Sequence, residues 1–311
     1  MKALLICSYK KMLAENAAPF VVEQRNALQR CGVECDLFLV NGKGFHGYLK
    51  QLGPIKKRIK SFQPDVIHAH YGLCGLLANM QRKVPVVTTY HGSDINDKNM
   101  RRLSKIAVLM SAWNIFVSRQ TMNVVRPGKH CSLLPCGVDL SDLQLTPRAE
   151  ARRRMCLDSE KRYILFSGAF DNAVKNAPLA LKSVKALGVD DVELLELKGR
   201  TREEVTLLMC AADALLMTSR NEGSPQVIKE ALACGCPIVS VEVGDVKERV
   251  EGVDGCFVAQ TRKPEELAGL LGKALAYEGK TKGRDKIIAD GLDNEHVAKK
   301  IMEIYGNTSI C

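Results

Sequence analysis

Short runs of β-branched and aliphatic residues alternate with stretches of helical periodicity along the whole of this 311-residue chain, and that alternation restricts its fold more than any other feature. It is the pattern of parallel sheets with helices on both faces, so the expected class is α/β. Strands are read at 3–8, 33–40, 66–70, 84–90 and 112–117, with helices between them at 21–30 and 49–62. A second series of strands is read at 163–167, 192–197, 214–219 and 237–241. The length suits two domains of about 150 residues each. A Pro-, Arg- and Glu-rich stretch at 146–161 separates the two series, which puts the expected boundary near residue 155. Ligands of such folds collect at the carboxyl ends of the strands.

Composition narrows the class further. With 46% hydrophobic and 26% charged residues, the chain reads as globular, without low-complexity tract or repeat. The longest mostly apolar stretch, 106–117, is interrupted by Ser111 and Asn114 and is shorter than the ~18 residues a membrane span requires. Met1-Lys2 is followed by a short strand and not by a secretory signal, so a cytoplasmic location is expected. The 12 cysteines include the close pairs Cys31/Cys35, Cys131/Cys136 and Cys234/Cys236. None has the two-residue gap of common zinc sites, so reduced and mostly buried thiols are expected. The net charge of +10 divides unevenly at Leu157, with 24 Lys and Arg against 10 Asp and Glu before it and 21 against 25 after it. The first half therefore either meets something anionic, such as a membrane surface, phosphorylated lipid or nucleic acid, or carries a basic solvated face.

One string carries chemistry. Arg220-Asn221-Glu222-Gly223-Ser224-Pro225-Gln226-Val227-Ile228-Lys229-Glu230-Ala231-Leu232-Ala233-Cys234-Gly235-Cys236-Pro237-Ile238-Val239 reads as turn, helix, glycine stop and next strand. The turn brings backbone N–H groups to the positive end of a helix, where phosphates bind. Glu230 lies about two turns beyond Glu222 and can face the same ligand. Two carboxylates beside a phosphate-binding helix start suit the two sugar rings of a nucleotide sugar.

This string resembles the hallmark of the retaining glycosyltransferases of family 4 (glycosyl transferases group 1), with two facing Rossmann-like domains in the GT-B fold and the active site in the interdomain cleft. The resemblance runs along the chain in the family's order. It implies a domain 1–155 that binds the acceptor, completed by a C-terminal helix 293–311, and a domain 156–292 that binds a nucleotide sugar. It implies that Glu222 contacts donor-sugar hydroxyls, that Gly223 and Ser224 contribute turn N–H groups, and that Glu230 binds the ribose. Phe166-Ser167-Gly168-Ala169-Phe170 with Lys175-Asn176 looks like the loop that opens the family's donor domain, which makes Lys175 the cation on the pyrophosphate. The family usually has Arg where this chain has Ala169, so either Arg220 substitutes or donor binding differs. Thr89-Tyr90-His91-Gly92-Ser93-Asp94 resembles the acceptor domain, and implies that His91, Gly92 and Asp94 lie beside the reacting sugar. His68 and His70 share one strand face and are read as structural, as is Leu134 to Asp139. The family's adjacent glycines after the first strand are missing from Lys10 to Phe20.

The reaction so implied moves a hexose-type sugar, with retention, from a nucleotide diphosphate sugar to a glycan or lipid-linked acceptor in polysaccharide or glycoconjugate biosynthesis. His91, Glu222 and Lys175 are its candidate catalytic residues. No Asp-x-Asp motif is present, so no metal and no other cofactor is expected, and Lys175 with helix N–H groups supplies the charge. Alternatives are a non-catalytic nucleotide-sugar or lipid-binding relative and a nucleotide-sugar epimerase of the same fold. Gly42-Lys43-Gly44-Phe45-His46-Gly47 matches a dinucleotide fingerprint literally, but a true one belongs at the first strand-to-helix turn. Within 49–62, Leu52, Ile55, Ile59 and Phe62 at helical spacing among Lys50, Lys56, Lys57, Arg58 and Lys60 suit either a helix on an anionic membrane, peripheral at its inner face, or a helix packed inward. Nucleic acid is not expected, because the basic residues lack interleaved aromatics.

Overall fold

The computed structural model describes residues 1–10, 15, 17–42 and 44–308. The chain divides into two compact units, Met1–Gly137 joined by the segment from Leu292, and Val138–Gly291. Among the described residues each unit is built on one parallel sheet. In the first, β1 (Lys2–Ser8), β2 (Glu34–Val40), β3 (Val66–His70), β4 (Val86–Tyr90), β5 (Trp113–Phe116) and β6 (Cys131–Leu133) lie in the order β2-β1-β3-β4-β5-β6. Alternate residues of β1 face opposite sides, as the strand period of two requires. Ala3, Leu5 and Cys7 join a core with Val21, Leu28, Ile301 and Tyr305, while Leu4 and Ile6 join another with Ile55, Ile67 and Leu77. The helix Asn294–Thr308 buries Val297, Ala298, Ile301, Ile304 and Tyr305, and so supplies part of the first unit's core from the far end of the sequence.

The second unit contains β7 (Arg162–Phe166), β8 (Val192–Leu195), β9 (Ala214–Met217), β10 (Ile238–Val241) and β11 (Cys256–Ala259), in the order β11-β10-β9-β7-β8. Ile164, Phe166, Leu216, Val239 and Leu267 are fully buried in its core. Strand order reverses between β1 and β3 in the first sheet and between β7 and β9 in the second. At such a reversal the crossover helices leave on opposite faces, and a crevice opens beyond the strand ends.

The boundary differs from the expected 155. Helix Arg148–Arg154 belongs to the second unit because its basic residues find partners there: Arg148 and Arg152 reach Asp213 at 3.1 and 2.7 Å, and Ala151 is fully buried. The stretch read as a linker is thus an anchored helix. The segment 49–62 is also different, since one helix ends at Leu49 and another spans Leu52–Phe62. Ile55 of the latter is fully buried, and Leu52, Ile59 and Phe62 pack on the same core, which leaves only its basic residues outward. Burying Ile55 stabilises the fold by about 2 kcal/mol. β6 and β11, not anticipated, are short edge strands of three and four residues with little apolar signal.

In the glycine-rich string after β2, a Cβ on Gly42 would stand 2.5 Å from the Gly47 carbonyl carbon, so these glycines serve close backbone packing beside an edge strand. Lys43 of that string, residues 309–311, and Lys11, Met12, Leu13, Ala14 and Asn16 of the loop after β1 lie outside the described residues. No helix among the described residues is long and apolar enough to cross a membrane.

Candidate functional site

The second unit brings its predicted site residues together at the strand reversal. Gly168 and Lys175 lie on the loop after β7, and Glu222 on the loop after β9, the two strands between which the order turns. Lys175 Nζ donates to Glu222 Oε1 at 2.8 Å, with both side chains about one-fifth exposed. Several contacts fix the lysine. Thr218 Oγ1 donates to the Lys175 and Asn176 carbonyls at 2.9 and 3.1 Å, and Asn176, left-handed at φ 56°, turns the chain into helix Ala177–Lys185. Gly168 leaves room for the lysine stem, because a Cβ there would stand 2.8 Å from Lys175 Cγ.

Helix Gln226–Ala233 starts beyond the Gly223-Ser224-Pro225 turn without a side-chain cap, so its first N–H groups are not met by its own cap residue. Glu230 is buried, and its Oε1 accepts from Arg202 Nη1 at 2.6 Å. Ser224 Oγ donates to Asp245 Oδ2 at 2.8 Å, which fixes the turn. Burial pushes the Asp245 carboxyl above the usual range, while the Lys229 and Arg249 charges and the Ser224 hydroxyl hold it back. The backbone after β10 closes on the same turn: Gly244, at φ 59°, would place a Cβ 2.4 Å from the Gly223 carbonyl oxygen.

Sequence reasoning missed Arg202, Gly244, Asp245 and Arg262, whose Nη1 donates to the Ser219 carbonyl at 3.0 Å. They lie 12 to 40 residues from the motif they touch and carry no local pattern. Only the helix-capping Thr201 and Glu204 around Arg202 gave a signal, and it marked a helix start. Arg220 is exposed, and the cation on Glu222 is Lys175.

In the first unit, β3 and β4 end in a column of imidazoles. His68 stacks on His70 at 4.7 Å and His70 on His91 at 5.3 Å between ring centroids. His68 is held by Tyr305 Oη and Thr89 Oγ1, each at 2.7 Å, and His70 Nδ1 lies 3.1 Å from His91 Nε2. Burial lowers the His70 pKa to about 3 and that of His68 well below its ordinary value. Both are neutral at physiological pH. His70 Nε2 is buried without a hydrogen-bond partner. An unpaired buried N–H is the costlier orphan, so the proton belongs on Nδ1 and His70 donates to His91. His91 Nδ1 lies 3.7 Å from Cys136 Sγ. Both His91 nitrogens therefore have protein partners, and a sugar hydroxyl must displace one of them.

Asp94 is buried, with Oδ1 accepting from the His91 and Gly92 N–H groups at 3.1 and 3.0 Å and Oδ2 from the Gly72 N–H at 2.9 Å. It ties the loops after β3 and β4 together. Burial outweighs these bonds and raises its pKa to about 6. Among the described residues no group of three or more His, Cys, Asp or Glu side chains is arranged to hold a metal ion.

Comparison with known proteins gives this geometry a context. A family model described as Glycosyltransferase Family 4 matches residues 17–142, and one described as Glycosyl transferases group 1 matches residues 176–277. The chain belongs to glycosyltransferase family 4. This family 4 chain is 28% identical over 272 residues to a D-inositol 3-phosphate glycosyltransferase of Mycolicibacterium gilvum, an alignment that covers 71% of the chain and 60% of the relative. It spans 55% to 62% of the length of three curated relatives that it matches. Among solved structures it superposes on the sucrose-phosphate synthase of Thermosynechococcus elongatus with a TM-score of 0.81, 17% identity and 98% of both chains covered. On Anabaena HepE in complex with UDP-glucose the TM-score is 0.76, with 16% identity over 99% of this chain and 100% of that one. The family 4 chain thus shares the GT-B fold, with two Rossmann-like units.

Proposed function

We propose that the protein is a retaining glycosyltransferase that moves a hexose-type sugar from a nucleotide diphosphate sugar to a glycan or lipid-linked acceptor. The observation that carries this reading is the Lys175–Glu222 pair at the reversal of the second sheet, with buried Glu230 on the helix that starts beside it. In this reading Lys175 leaves Glu222 for the donor diphosphate and neutralises the charge that develops on the leaving phosphate. Glu222 accepts from sugar hydroxyls, Gly223 and Ser224 N–H groups meet the phosphate, and Glu230 exchanges Arg202 for the ribose hydroxyls. The acceptor belongs to the first unit, where Asp94 positions His91 and Gly92 through their backbone N–H groups. Retention enters from the family resemblance, with the leaving phosphate as proton acceptor, and no protein general base is assigned.

UDP-hexoses are the first donors to try, because Anabaena HepE was solved with UDP-glucose. Lys175 and the helix N–H groups meet the diphosphate charge without a divalent metal, so transfer continues at an undiminished rate in excess chelator. Calorimetry with UDP-, GDP- and ADP-sugars, followed by mass spectrometry of product from a glycan-acceptor panel, tests the reading. Tight nucleotide-sugar binding with no transfer to any acceptor would return the protein to a binding role.

The acceptor reading is supported by charge, since the first unit carries 22 Lys and Arg against 10 Asp and Glu. We place its contact with an anionic membrane on helix Lys98–Met110 in preference to Leu52–Phe62. The former shows Ile106 and Leu109 to solvent, Leu109 at 86% exposure, beside Lys98, Arg102 and Lys105. The latter turns its apolar side chains into the core.

A further inference from the structure

Away from the donor site, two cysteines 24 positions apart in sequence meet inside the second unit. Cys210 lies near the end of helix Arg202–Ala211, and Cys234 follows helix Gln226–Ala233. Both are buried free thiols, and the Cys234 thiol donates to the Cys210 sulfur. The Thr146 N–H donates to the same sulfur, and Lys280 stands close, with its Nζ on the Cys210 carbonyl at 2.8 Å. This cluster is not sealed. Thr146, Cys234 and Lys280 line a cavity of about 520 Å³ together with Arg148 and Arg284.

The arrangement favours one thiolate. The hydrogen bond from Cys234 lowers the Cys210 pKa to about 6 against the opposing effect of burial, and the Thr146 N–H and the Lys280 charge add to it. The Cys234 thiol is correspondingly raised, first by that same bond and then by burial. A thiolate beside cations and a partner thiol has the features of a redox-reactive pair and not of inert buried cysteines.

We propose that Cys210 and Cys234 form a dithiol that hydrogen peroxide entering the cavity oxidises to a disulfide. The Cys210 sulfur attacks one peroxide oxygen, the O–O bond breaks, and the departing hydroxide takes a proton to become water. The resulting Cys210 sulfenic acid is attacked by the Cys234 sulfur, the S–O bond breaks, and a second water leaves. Two thiols lose two hydrogens, and one peroxide becomes two waters. The consequence reaches the nucleotide. The two helices also carry Arg202 and Glu230, paired at 2.6 Å, and an S–S bond of about 2.05 Å draws the thiol ends closer than a hydrogen bond holds them. Oxidation therefore changes the placement of Glu230 and weakens nucleotide-sugar binding, a step that rests on the reading of Glu230 above.

Peptide mapping of the wild-type protein after graded hydrogen peroxide tests the site, with exposed Cys156 as internal reference. The expected result is a Cys210–Cys234 cross-linked peptide at peroxide doses that leave Cys156 a thiol, and in Cys234→Ala a sulfenic acid at Cys210 trapped by dimedone. Oxidation of Cys156 first, or no cross-link at any dose, overturns the proposal, and the wild-type map needs no variant to fold. UDP-glucose calorimetry on reduced and oxidised protein reads the coupling, with at least a fivefold loss of affinity expected on oxidation and unchanged affinity refuting it. If the reduced protein binds no nucleotide sugar, the donor reading fails while the peptide map still judges the dithiol.

Discussion

Lys175 and Glu222 close a 2.8 Å ion pair between the loops that follow β7 and β9, at the reversal of strand order in the second sheet. A salt bridge at this position keeps a cation and an acceptor poised side by side, each only about one-fifth exposed. Replacing Lys175 by Met removes the positive charge at the leaving group, and kcat/KM for sugar transfer should fall about 100- to 1000-fold. Lys175→Arg should recover part of it, because charge is restored without the same geometry. Steady-state kinetics with saturating acceptor checks both.

Glu230 and Arg202 form the second pair, and here the two substitutions should separate. Glu230→Ala deletes a buried hydrogen-bonding carboxylate, worth about 1.5–3 kcal/mol to a ligand hydroxyl, so nucleotide-sugar affinity should fall about 10- to 150-fold in calorimetry. Arg202→Ala leaves the carboxylate in place and should cost less. Unchanged binding in Glu230→Ala would remove it from the ribose.

Gly244 offers a test that alters no functional group. A methyl there would stand 2.4 Å from the Gly223 carbonyl oxygen, on a backbone at φ 59° that disfavours side chains. Gly244→Ala should displace the Gly223-Ser224 turn and raise the donor KM several-fold. Normal donor kinetics in that variant would show that the turn does not hold the phosphates.

The buried imidazole column makes stability depend on pH. His70, with a folded-state pKa near 3, and His68, also lowered, contribute stability that is complete above the unfolded value of ~6.5 and lost as the pH falls. Asp94, raised to about 6, acts oppositely, contributing stability at low pH that is lost as the pH rises through 6. Between pH ~6 and ~4 two histidines oppose one carboxyl, for a net loss of about 1.4 kcal/mol per unit of falling pH. His70→Asn should remove one histidine's share and flatten that slope. Fluorescence of Trp113, the one tryptophan in the sequence, reports unfolding of the unit that holds the column.

Membrane contact can be assigned to one helix by exchange of charge and apolarity. Wild-type protein should float with anionic vesicles at low salt and release them as salt rises, since exposed charges are screened over about 10 Å at 0.1 M. Ile106→Asp with Leu109→Asp should abolish flotation, whereas Lys56→Glu with Lys57→Glu should only weaken it. The reverse ranking would move the contact to Leu52–Phe62.

The strands that could be read from sequence were those with a continuous buried run, such as β1 and β9, because burial on both faces leaves an apolar block that no helix phase imitates. Glu222, Glu230 and Lys175 were legible because a glycine turn, a helix start and an acid at fixed spacing follow one another within a few residues. Arg202 and Asp245 were not, because they reach the same place from other crossovers and only the folded sheet makes them neighbours. The boundary at 155 failed for a related reason. The composition of residues 148–154 suggested solvent, yet Asp213, some 60 positions on, gives Arg148 and Arg152 a partly buried partner.

The Tyr305 hydroxyl that holds His68 has a temporal meaning as well as a spatial one. A chain emerging from the ribosome amino end first exposes β1 to β6 long before helix Asn294–Thr308 exists, and the core around Val21 and Leu28 waits for Ile301 and Tyr305. Val138–Gly291 is continuous and has all its parts as soon as it is translated. The half synthesised first is therefore the half finished last, and until then its sheet stands open along one face to chaperones and to neighbouring chains.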